Sequence, residues 1–119
     1  MKPGNRGVNR LIKAWGYSML GFKAAFQHEA AFRQELALLV VSLPAAYYFA
    51  ETPFEVAILL ASVLLILVVE LLNSALEAVV DRFGGEFHEL SGRAKDLASA
   101  AVLVSIFISA ILWFSVIFF

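Results

Sequence analysis

Glu70, Asn73, Glu77 and Asp81 follow one another at spacings of three, four and four. On a helix, such spacings stack side chains along one side, and Ser74 falls beside the row. Yet the stretch that carries them, VVELLNSALEAVVDR at 68–82, closes a long run of Leu, Ile and Val. Carboxylates in a row suit two tasks: oxygen ligation of a hard divalent cation, and abstraction of a proton from a hydroxyl. The helix that positions them must therefore be apolar and still tolerate acid groups on one face.

Composition explains the apolar setting. The chain has 119 residues, 61% hydrophobic and 16% charged, whereas soluble domains run nearer half apolar and a quarter charged. With a mean hydropathy of +0.83, the sequence predicts an all-α integral membrane protein, a single domain over 1–119. The net charge of −1 says nothing about nucleic acid, but with no basic tail and no base-stacking motif no nucleic-acid partner is expected. There is no Cys, hence no disulfide, thiol nucleophile or thiolate metal site. Lys2, Arg6, Arg10 and Lys13 interrupt the first apolar residues, so no signal peptide is expected there.

Four segments follow from periodicity. Residues 9–27 repeat Leu11, Ile12, Trp15, Met19, Phe22 and Phe26 every three or four positions, with Arg10, Lys13, Tyr17 and Lys23 largely off that stripe. A basic amphipathic helix with a Trp/Phe face suits the membrane surface, although docking on another protein surface would produce the same pattern. Three transmembrane spans are expected, over about 30–49, 54–80 and 97–119. Pro44 falls inside the first, and Tyr47 and Tyr48 suit interfacial anchors. Residues 51–55 read as a short loop, and 81–96 as a polar connection turning at Gly84-Gly85. Small residues including Ser99, Ser105 and Ser109 give the last span faces for close packing. All nine Lys and Arg lie before the first span, near its start at Arg33, or between the second and third. The N-terminus is therefore expected in the cytoplasm and the C-terminus outside.

In that topology Glu70 lies roughly 15 Å inside the cytoplasmic boundary. A charged residue at a helix centre costs roughly 2.5–3.5 kcal/mol on insertion scales, and intramembrane ionisable groups mark functional sites by default. The plainer alternative is that the row only ties helices together. Glu77, nearer the cytoplasm, suits Mg²⁺, which takes one or two carboxylates plus phosphate. Glu29, at the start of the first span, is a second carboxylate for it. Glu70, deeper and drier, suits a general base acting on a hydroxyl at the membrane surface. Asn73 is placed to orient substrate or nucleotide between them.

HELSGRAKD at 88–96 adds His88, Glu89, Arg93, Lys95 and Asp96. By itself a charge-rich loop is simply solvated. Beside the carboxylate row it suits nucleotide binding, with Lys95 on phosphate and Asp96 on a sugar hydroxyl or orienting Lys95. The chain has no GxxxxGK[ST], GxGxxG or HExxH, so any handling of ATP proceeds without a P-loop or a protein-kinase fold.

EAAFRQE at 29–35, VELLNSALEAVVDR at 69–82 and HELSGRAKD at 88–96 together resemble the small prokaryotic diacylglycerol kinase family, over about 10–113. The resemblance implies three transmembrane helices plus an N-terminal surface helix in a homotrimeric bundle of the bacterial inner membrane, with active sites between subunits at the cytoplasmic surface. It implies transfer of the γ-phosphoryl of MgATP to the primary hydroxyl of diacylglycerol, giving phosphatidic acid. By that resemblance Glu70 is the catalytic base, with Asn73 beside it, and Glu29 and Glu77 are the metal ligands. Arg10, Tyr17, Glu29, Glu77, Glu86, Phe87, His88, Lys95 and Asp96 match nucleotide contacts. Arg10, Gln34, Glu35, Glu70 and Ser99 match the lipid site. An undecaprenol kinase shares the carboxylate pattern, and a small proton-coupled transporter would also use an intramembrane Glu; these remain the rival expectations.

Overall fold

α1 (Gly7–His28), α2 (Ala30–Phe49), α3 (Pro53–Asp81) and α4 (Glu89–Phe118) make up a computed structural model that describes residues 6–83 and 88–119. The molecule measures 48 × 41 × 21 Å, a slab about two helix diameters thick. α3 is the central element and packs against both α2 and α4. Its buried residues Leu59, Ser62, Val63, Ile66, Leu67 and Glu70 recur at three and four, forming one stripe. Glu70 thus continues the core stripe rather than interrupting it.

Each junction has a local cause. Glu29 adopts an extended backbone (φ −120°, ψ 106°) and separates α1 from α2. Arg33 braces this elbow: its Nη1 donates to the Phe26 carbonyl at 2.7 Å, meeting an acceptor that the end of α1 leaves unsatisfied. Phe32 inserts between Ala25 of α1 and Leu67 of α3, and its ring stacks near Phe22. The next junction is shorter than the 51–55 loop read from sequence, because α3 already begins at Pro53. Thr52 caps it by accepting the Glu55 N–H at 3.1 Å, and Glu55 reaches back to the Glu51 N–H at 2.9 Å. Pro53 stands in the first turn, where a missing N–H costs nothing. α2 continues through Pro44.

The largest correction concerns the connection read over 81–96. The last helix begins at Glu89, not near Leu97, so most of HELSGRAKD forms its first two turns. His88 caps it, Nδ1 accepting the Leu90 N–H at 3.0 Å, and Glu89 pairs with Arg93 one turn on. At 1.5 Å per residue α4 is about 45 Å long, against a hydrocarbon core of about 30 Å. The excess is polar and belongs in water. Gly84-Gly85, Glu86 and Phe87 lie outside the described residues, as does Lys2.

Among the described residues α3 and α4 are long and apolar enough to cross a membrane. α2 is shorter at 20 residues and carries Arg33 and Glu35. α1 exists as expected, but only Ala25 of it is buried, and Leu11, Ile12 and Trp15 remain about two-thirds exposed.

α4 meets α3 through small polar residues. Ser105 and Ser109 are its buried positions, and Ser109 Oγ lies 2.9 Å from Ser62 Oγ. Ser62 also donates to its own helix at the Leu59 carbonyl, so Ser109→Ala strands no donor. That variant should lose less than about 1 kcal/mol in reversible unfolding in detergent. Ser109→Leu, which overfills the seam, should lose about 1–3 kcal/mol.

Candidate functional site

The polar end of the α3 stripe forms a continuous chain of contacts. Asn73 Nδ2 donates to Glu77 Oε1 at 2.8 Å and, more weakly, to Glu70 Oε2 at 3.4 Å. Ser74 Oγ donates to the same Glu70 oxygen at 3.4 Å. Glu70 is only 5% exposed, while Asn73, Ser74 and Glu77 are half-buried. The three- and four-residue spacing therefore does what the sequence predicts. One amide fixes two carboxylates, one deep and one shallow.

α2 adds a residue whose position is not readable from spacing. The Glu35 carboxyl lies against that of Glu70. Its Oε1 is buried with no hydrogen-bond partner. The base candidate thus has another carboxyl as a close neighbour, contributed by the residue three after the core residue Phe32.

At the other end of the row, Lys95 of α4 reaches Asp81 of α3, Nζ to Oδ1, at 2.8 Å. This hydrogen bond, then the charge of Asp81, holds the Lys95 ammonium above the usual lysine range, with Glu77 adding a smaller attraction. The stabilisation is complete at neutral pH and is lost as pH rises through that raised value. The sequence left Asp96 as a candidate to orient Lys95; instead Asp81 makes the contact, and Asp96 is exposed.

Glu29, at the elbow, opens on a groove of about 550 Å³ between α1 and α3. Its walls include Phe22, Ala25, His28, Leu71, Ser74 and Ala78, and Glu77 is not among them. No cluster of three or more His, Asp or Glu that could hold a metal occurs among the described residues. Mg²⁺ usually takes one or two carboxylates, keeps several waters and completes its shell with substrate phosphates.

The remaining expected site residues are not drawn in within the single chain. Arg10, Tyr17, Gln34 and Ser99 are exposed and make no hydrogen bond or ion pair to the row among the described residues. His88 is exposed and caps α4. Glu86 and Phe87 lie outside the described residues.

A family model for prokaryotic diacylglycerol kinase matches residues 16–117. The chain is 49% identical to a diacylglycerol kinase of Escherichia coli K12 over 113 residues, covering 95% of this chain and 93% of that one. It is 47% identical to a diacylglycerol kinase of Haemophilus influenzae, covering 95% and 96%. For Pseudomonas aeruginosa the identity is 48%, covering 92% and 89%.

The Asn73 bridge has a measurable consequence. Asn73→Asp removes the donor and sets a third acid between two others, which should lower stability by about 1–3 kcal/mol. Asn73→Ser, without added charge, should cost less. Equal thermal midpoints for native protein and Asn73→Asp would contradict the bridge.

Proposed function

The chain belongs to the prokaryotic diacylglycerol kinase family, and on that premise we propose that it transfers the γ-phosphoryl group of MgATP to the primary hydroxyl of diacylglycerol at the cytoplasmic face of the inner membrane. The observation that carries this reading is the Asn73 bridge, which links a carboxylate in the apolar stripe to one near the polar end of α3. A lipid hydroxyl approaches from the membrane and a nucleotide from water, so a transfer site needs acid groups at both depths. Membership in a kinase family argues against the transporter alternative. The name diacylglycerol kinase, shared by the relatives compared, favours that acceptor over undecaprenol.

In this reading Glu70 accepts the proton of the lipid hydroxyl as its oxygen bonds to the γ-phosphorus. The bond from that phosphorus to the β-bridging oxygen breaks, and ADP leaves. Asn73 holds Glu70 and Glu77 in register. Glu29 and Glu77 would hold Mg²⁺, which when bound neutralises phosphate charge. Lys95 donates to phosphate oxygens, with Asp96, Arg10, Tyr17 and the 86–88 segment on the nucleotide. Glu35, Gln34, Arg10 and Ser99 line the lipid side. α2 is the first of three spans, ahead of α3 and α4, α1 lies on the membrane surface, and the N-terminus is cytoplasmic and the C-terminus external. Large apolar side chains remain exposed along α2, α3 and α4. They suit lipid and the neighbouring subunits of a homotrimer, which would bring the outlying site residues to the row.

Glu70→Gln keeps the shape and removes the base. It should lower phosphatidic acid formation at least about 100-fold, with the subunit assembly unchanged in detergent. Near-native turnover would overturn its role. Glu29→Gln and Glu77→Gln should shift the Mg²⁺ titration to higher concentration, and an unshifted titration would remove them as ligands.

A further inference from the structure

The Asp81–Lys95 pair joins the last turn of α3 to the second turn of α4, across a connection whose two ends it fixes. Both side chains are substantially exposed, and exposed ion pairs contribute little to folding. Helix cohesion is already supplied by the Ser62–Ser109 seam and the apolar stripe. The pair does, however, fix the direction of a long side chain. A free lysine ammonium samples many rotamers, and fixing it when a ligand arrives weakens binding. Here Asp81, one turn beyond Glu77, holds that ammonium within the field of Glu77 before any ligand arrives. An ammonium has three N–H donors. One serves Asp81, leaving two for phosphate oxygens, so the contact need not break.

We propose that Asp81 is a positioning residue for phosphoryl transfer, holding the Lys95 ammonium beside Glu77 where the terminal phosphates of the nucleotide bind. This rests on the reading of Lys95 as a phosphate contact. Asp96 does not substitute for it: it neighbours Lys95 in sequence but is exposed and does not contact its ammonium. Arg93 is engaged by Glu89.

The test is steady-state kinetics of the full-length protein in mixed micelles, varying MgATP and diacylglycerol separately. Asp81→Asn should raise the KM for MgATP by about three- to tenfold, the factor expected for ordering one long side chain, and leave the KM for diacylglycerol unchanged. Asp81→Glu should restore most of the loss. A binding titration with a fluorescent ATP analogue should show the same shift without turnover. Lys95→Met separates the two layers of the argument. If Lys95→Met raises the KM for MgATP and Asp81→Asn does not, the positioning role is overturned and the phosphate contact stands. If neither variant changes nucleotide affinity, both are overturned. An Asp81→Asn defect that spreads equally to diacylglycerol, without rescue by Glu, would mark a merely structural tie and overturn the proposal.

Discussion

Placing Glu70 on a stripe otherwise made of Leu, Val, Ile and Ser is the constraint on which the rest of the molecule depends. A carboxylate 5% exposed is costly unless its surroundings supply donors and fixed geometry. Asn73 and Ser74, three and four residues on, supply them from the same helix. The carboxylate row is therefore local to α3. Its neighbours adjust around it: α2 presents Glu35, and α4 brings Lys95 to the outer end.

The elbow at Glu29 separates α1 from α2. Glu29 stands where α1 meets α2, and a continuous helix through residues 28–30 would carry its carboxylate away from the groove. The extended backbone at Glu29, Arg33 on the Phe26 carbonyl and Phe32 in the joint hold that place. With little of α1 buried in the chain, its apolar stripe is free to lie in the headgroup region.

Much of this was legible in the sequence because long apolar helices declare themselves by length and composition. α2 has the ends expected, and α3 differs by one residue at each. The Glu70–Asn73–Glu77 row was legible because helical spacing alone determines it. The start of α4 was not, since hydropathy registers only the part of a helix that lies in lipid. The turns from Glu89 to Asp96 are helical for other reasons: a His88 cap and a Glu89–Arg93 pair. Contacts between helices were also illegible. That Lys95 meets Asp81 rather than Asp96, and that Glu35 lies against Glu70, depends on how α2, α3 and α4 pack, which no single-helix periodicity encodes.

In the proposed reaction the two depths of the carboxylate row join an aqueous phosphoryl donor to a membrane hydroxyl. The most direct measurement follows labelled γ-phosphate from MgATP into lipid, with diacylglycerol and undecaprenol offered side by side in the same micelles. Label is expected in phosphatidic acid. Label mainly in undecaprenyl phosphate would contradict the acceptor, and label in neither lipid would contradict the transfer itself.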